Sequence, residues 1–187
     1  MKPICSQTAC KAAQLAVFVF CLFAAFAPRA GMAATSTPVQ LTIGSIPSDR
    51  MLVVQLMVTS IAVKPVNGAA INILSKPVTV EFAELGDVSE PLGLASLPQG
   101  KYSQIVVTTS GCNVTYIGGA AAQPIKREFP RSFTSGIPLQ PALQVGTAPL
   151  VLNLQLDIAS TLPVNLAGAP NFNKPIFRAS ANNVSSL

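Results

Sequence analysis

The chain has 187 residues, of which only 10% are charged, well below the ~25% usual for soluble domains. It contains no His and no Trp, which excludes a Ser-His-Asp triad, a Cys-His pair and any His-bearing zinc site. The formal net charge is +5, with 12 Lys and Arg against 7 Asp and Glu, so catalytic chemistry is limited to those carboxylates, a few lysines and two tyrosines.

In chain order, the first predicted element is an export signal. Lys2 and Lys11 are basic and no acid precedes Asp49. Ala12 to Ala27 is apolar except for Gln14, and Pro28-Arg29-Ala30-Gly31-Met32-Ala33-Ala34 follows. A positive end, an apolar middle and small residues at the cut make a cleavable signal peptide over residues 1–34. The apolar run is 16 residues long, short of the roughly 20 that span a bilayer. Cleavage falls after Ala33 or Ala34, with retention as an anchor the alternative. No later segment is apolar for long enough to span a membrane, so none is expected after cleavage.

Removing the signal leaves 153 residues, enough for one domain with a real core. Three basic residues leave with it, so nine Lys and Arg face seven acids and the mature charge is +2. That balance gives no footprint for nucleic-acid binding. Lys126-Arg127 and Arg131 read as a solvated basic loop, with an anion site the alternative. Cys5, Cys10 and Cys21 also leave, and Cys112 remains as the lone mature cysteine. No internal disulfide can then form. Cys112 is expected as a buried small hydrophobe, with an intermolecular disulfide the alternative.

The mature part alternates with the strand period. Val39 to Ile43 is the first strand, and Ile46-Pro47-Ser48-Asp49 a turn. Met51 to Val63 follows, with Leu52, Val54, Leu56 and Val58 on one face. Val66-Asn67-Gly68-Ala69 is a hairpin signal, across which Ile71 to Leu74 pairs back. Val78, Val80 and Phe82 alternate in a short strand, and Ala83 to Ala95 is a helical turn or irregular link. Pro98-Gln99-Gly100 launches Lys101 to Thr109. Val114 to Ile117 is a short strand and Gly118 to Gln123 a loop. Ile125 to Phe133 and Ile137 to Leu143 follow as separate strands. Leu150, Leu152, Leu154, Leu156 and Ile158 form one buried face, with Asn153, Gln155 and an exposed Asp157 opposite. Lys174 to Ala179 is the last strand, placed at an edge by Pro175.

This pattern predicts an all-β fold, an antiparallel β-sandwich of about seven to nine strands. One domain covers residues 35–180, and 181–187 is a flexible tail. Several stretches resemble the bacterial domain-of-unknown-function family 4382. Leu41 to Val63 is similar to its opening strand, x-Pro-Ser-Asp turn and long β run. Phe82-Ala83-Glu84-Leu85 is similar to its short Leu-rich segment, and Leu97-Pro98-Gln99-Gly100-Lys101-Tyr102 to its Pro-x-Gly-x-Tyr turn. Ser135-Gly136-Ile137-Pro138-Leu139, Leu152 to Thr161 and Lys174-Pro175-Ile176-Phe177-Arg178 follow in the family's order. The chain departs from it at Ser45-Ile46, where the pattern has Thr-Asp. The resemblance implies an exported, transthyretin-like bacterial β-sandwich and no particular activity.

Asp49 and Arg50 are the ligand-loop candidates, against an Asx-type turn in which the Asp side chain caps backbone N–H groups. Glu84, Asp87 and Glu90 offer oxygens for calcium but lack the glycine-anchored ladder of a calcium loop. Asn113-Val114-Thr115 and Asn183-Val184-Ser185 match the glycosylation acceptor. Tyr102 is expected to bury its ring and tie its hydroxyl to a nearby loop. No catalytic, metal or cofactor-binding residue stands out, and no cofactor is expected. The leading reading is a non-catalytic domain of the periplasm or cell surface that binds or assembles with a protein or polysaccharide. The alternatives are a fimbrial or surface-fibre subunit, with Val39, Leu41 and Ile43 donated to a neighbour, and a carboxylate-dependent glycan hydrolase.

Overall fold

The computed structural model describes residues 35–86, 88–118, 122–165 and 168–183. The predicted signal peptide and cleavage site, Asp87 and residues 184–187 of the predicted tail lie outside the described residues.

Among the described residues, nine strands form two sheets. The first sheet holds β1 (Ser36–Ile46), β5 (Glu90–Pro98), β8 (Leu150–Asp157) and β9 (Phe177–Asn183), in the order β5-β1-β8-β9. The second holds β3 (Ile71–Asn72), β2 (Met51–Pro65), β6 (Gly100–Gly118) and β7 (Gln123–Val145) in that order, with β4 (Val78–Glu81) also paired to β2. The single-turn helices α1 (Phe82–Leu85) and α2 (Ile158–Thr161) follow β4 and β8.

The alternation read from the sequence defines the inner faces. Val39, Leu41 and Ile43 of β1 and Leu152, Leu154 and Leu156 of β8 are all but inaccessible. Val54, Leu56 and Val58 of β2 and Ile105 and Val107 of β6 meet them from the second sheet in one continuous core. Each such side chain contributes about 1.5–3 kcal/mol on burial. Tyr102 buries its ring and donates its hydroxyl to the Pro98 carbonyl at 2.7 Å, tying β6 to the corner where the chain changes sheets.

Several expectations need correction. The sandwich is mostly, not wholly, antiparallel: β1 runs parallel to β8, from Val39 opposite Leu150 to Ile46 opposite Asp157. A parallel pair needs a long crossover, and here all of the second sheet's strands and β5 intervene. Leu52 does not share a face with Val54; it is 45% exposed while Met51 is buried, because the register with β6 shifts between Met51 and Val53. A further shift, between Val58 and Ser60, moves the buried set to Ile61 and Val63. One extra residue in a strand exchanges its two faces.

The strands expected over 101–109 and 114–117 are one strand, β6, kinked at Gly111. Gly111 has φ +66° and lies where the pairing with both neighbours slips, a conformation costly to any residue with a Cβ. The bulge returns Cys112 and Val114 to the core. The two strands expected over 125–133 and 137–143 likewise merge into β7. The Asn67-Gly68 hairpin exists, but its link is wide: the last β2–β3 pair is Val63 opposite Ile71. β5 occupies the second half of the segment read as helical or irregular. β9 begins only after Pro175, is an edge strand, and runs on to Asn183.

Candidate functional site

Asp49 and Arg50 sit exposed in the turn from β1 to β2, where the chain passes from one sheet to the other. The Met51 N–H closes the turn on the Ser48 carbonyl at 3.1 Å, and the Arg50 carbonyl accepts from the Ile117 N–H at 3.1 Å. Backbone bonds therefore hold this corner. The Asp49 and Arg50 side chains are exposed, and among the described residues neither is held in an ion pair.

The carboxylates that do reach the interior are engaged in architecture. Glu81 ends β4, and its Oε1 accepts from the Val54 N–H at 2.7 Å and the Ala83 N–H at 3.2 Å. It thus closes the β4 edge of β2 and caps α1 at once. Asp157 corrects the expectation of an exposed acid on a wet strand face. It is 6% exposed, caps α2 by accepting from the Ser160 N–H at 3.0 Å, and pairs with Arg178 at 2.9 Å. Burial alone would push its carboxyl up, but the Ser160 N–H and the Arg178 guanidinium outweigh that and hold it below the usual carboxylate value. The face opposite the leucines of β8 is not wet either: Asn153 and Gln155 are half-buried. Asn153 Oδ1 accepts from Thr42 at 3.1 Å and from Ser89 at 3.1 Å, pinning the segment before β5 over β1.

Glu84 and Glu90 are exposed on α1 and β5, and Glu128 is exposed on β7. Among the described residues, no group of three or more His, Cys, Asp or Glu side chains is gathered to hold a metal. Cys112 is buried and free, as a small core residue. Burial, with the Glu81 charge adding to it, pushes its thiol up to about 12, so little thiolate exists at neutral pH. Lys126, Arg127 and Arg131 lie exposed on the β7 strand rather than in a loop. Asn113 is exposed within β6 and Asn183 ends β9.

One feature was not picked out in the sequence. β7 and β9 are edge strands of opposite sheets, and an open seam runs between them. Opposite Tyr102 and Gln104 of β6, β7 loops out over the residues from Leu139 to Ala142. This bulge and Ala179 and Ala181 of β9 line a groove of about 410 Å³. A neighbouring hollow of about 380 Å³ lies between Ile137 and the Pro175-Ile176 approach to β9. Ser135 bridges the seam at that point, its hydroxyl donating to the Pro175 carbonyl at 2.8 Å. A signal for it was present: β7 carries Pro124, Pro130, Pro138 and Pro141, and proline in a strand marks an edge. Among the described residues, no helix is long and apolar enough to cross a membrane.

No family model, no curated protein and no solved structure matches the chain.

Proposed function

We propose that this chain is a non-catalytic β-sandwich exported to the cell envelope, where it acts by binding or assembly with a protein or polysaccharide partner. One observation carries the reading: of the acids drawn inward, Asp157 spends one oxygen on the α2 cap and the other on Arg178, and Glu81 spends Oε1 on Val54 and the α1 cap, its Oε2 being buried without a hydrogen-bond partner among the described residues. Glu84, Glu90 and Glu128 are spread over separate surface elements. Glycan hydrolysis needs two carboxylates facing one another across a cleft, and this distribution favours recognition over bond cleavage. The open β7–β9 seam and the low charge supply neutral surface for contact. Periplasmic or cell-surface location, and membership of the family resembled above, belong to the same proposal and rest on the N-terminal signal and the motif order.

Assembly into a fibre by donation of β1 is the weaker variant. Val39, Leu41 and Ile43 are buried between β5 and β8 and bonded to both, so donating them means opening the protein's own sheet. The test is co-sedimentation of the mature protein with isolated cell-wall polysaccharide and envelope proteins, alongside light scattering and a glycan-hydrolysis assay. Specific retention or defined self-association is expected. Glycan turnover that a single Glu→Gln substitution abolishes would overturn the proposal.

A further inference from the structure

Asn67-Gly68 is the sole Asn-Gly step in the sequence. It lies in the link between the last β2–β3 pair, Val63 opposite Ile71, and residues 66–70 are all exposed. The link is anchored at both ends: the Val66 N–H bonds the Lys101 carbonyl at 2.9 Å, and the Ile73 N–H bonds the Ile61 carbonyl at 2.8 Å. Between these anchors, among the described residues, neither the Asn67 side chain nor the Gly68 N–H has a hydrogen-bond partner. Gly68 has φ +122°, and the nearest neighbour of a Cβ placed there would be Pro65 Cγ at 3.5 Å. The Asn67 amide is therefore solvated and free to turn, and the nitrogen that follows it is unhindered and uncommitted.

We propose that Asn67 is a site of spontaneous deamidation. The Gly68 backbone nitrogen attacks Asn67 Cγ. A new C–N bond closes a five-membered succinimide, the bond from Cγ to the side-chain nitrogen breaks, and ammonia leaves with the proton that Gly68 gives up. Water then adds to either ring carbonyl and opens the ring to aspartate or isoaspartate. One water enters and one ammonia leaves, with no change of oxidation state. The other asparagines lack this combination. Asn72, Asn113 and Asn153 sit within strands and precede Ile, Val and Leu, whose side chains shield the attacking nitrogen.

The product has consequences at this end of the sandwich. Asn67 lines a hollow of about 430 Å³ together with Pro65, Val66, Ile71, Lys101 and Tyr102. Deamidation places a negative charge there beside a lysine and lowers the mature charge from +2 by one. The extra backbone methylene of isoaspartate falls in the link and not in a ladder, so the sheet is left intact and the modified protein stays folded.

The experiment ages the folded mature protein for days in warm, mildly alkaline buffer, followed by peptide mapping by mass spectrometry and isoaspartyl methyltransferase labelling. The expected result is a gain of one mass unit at Asn67, accumulating several-fold ahead of every other asparagine, with matching methyl incorporation. Asn67→Gln removes both signals. Gly68→Ala slows them several-fold, with circular dichroism checking that this variant folds. A urea-unfolded sample run in parallel shows the chemistry without the fold. If that sample deamidates at Asn67 while the folded protein stays intact over the same period, or if another asparagine leads in the folded protein, the proposal is overturned.

Discussion

Asp157 joins three elements through one side chain, and removing it in steps separates its two roles. Asp157→Asn keeps an oxygen to accept from Ser160 but gives up the charge opposite Arg178. Asp157→Ala gives up both. Losing an N-cap costs about 1 kcal/mol. The ion pair is worth less, about 0.2–1 kcal/mol, because the Arg178 side chain is 67% exposed and solvent screens it. Asp157→Ala should therefore cost about 1–2 kcal/mol, and Asp157→Asn less than half of that. For a domain of this size, 1 kcal/mol moves the melting temperature by about 2–4 °C, so Asp157→Ala should melt roughly 3–6 °C lower at neutral pH. The acid's folded pKa lies below its unfolded value, so the unfolded chain binds the proton more readily. The stability it supplies is complete above the unfolded pKa of about 3.9 and is lost as pH falls through the folded value. Thermal melts of the three proteins from neutral pH into the acid range provide the assay. If Asp157→Asn is as damaging as Asp157→Ala at neutral pH, the cap is not the main term. If the gap between the wild type and Asp157→Asn persists below the carboxylate range, the charge is not the other term.

Further outcomes follow from the same contacts. Tyr102→Phe leaves the half-buried Pro98 carbonyl without its partner at 2.7 Å and should cost about 1 kcal/mol in urea unfolding; an unchanged midpoint would mean that water replaces the hydroxyl. Gly111→Ala meets no atom within 4 Å but must hold φ +66°, so roughly 1–2 kcal/mol of backbone strain is expected, measurable as a shift in the same midpoint. Cys112, buried and titrating at about 12, should resist iodoacetamide in the native protein and react fully in denaturant; rapid native labelling would place the thiol at a surface. Expressed with its signal in a bacterial host, the chain should yield an exported protein beginning at Ala34 or Thr35 by N-terminal mass mapping, and an intact Met1 terminus would count against cleavage.

The leucines of β8 show how far a single sequence reaches. Their period of two is a property of the pleat itself, so Leu150 to Leu156 declares both a strand and its buried face before any partner is known. The same holds for Val39 to Ile43, for the Tyr102 corner and for Cys112 as a core residue. Bulges escape this reading, because the register slip at Gly111 or between Val58 and Ser60 is defined by the strand opposite. Two short apolar runs with an irregular step between them then look like two strands, when neighbours on both sides bind them into one. Asp157 departs from its strand pattern for a related reason. Its periodicity assigned it to a solvent face, but α2 and Arg178, 21 residues further on, fold over that face and supply the partners that make burial tolerable.

From composition and near neighbours alone come an N-terminal segment with the features of an export signal, a chain without histidine and with Cys112 as its one cysteine beyond residue 34, and a set of strands with most of their inward faces. The tertiary structure decided which strands pair, that β1 runs parallel to β8, that Glu81 reaches back to Val54 and Asp157 pairs with Arg178, and that a seam stays open between β7 and β9. Those outcomes depend on contacts between residues far apart in the chain, each β1–β8 pair being separated by more than a hundred positions. Local periodicity carries no information about such distant partners.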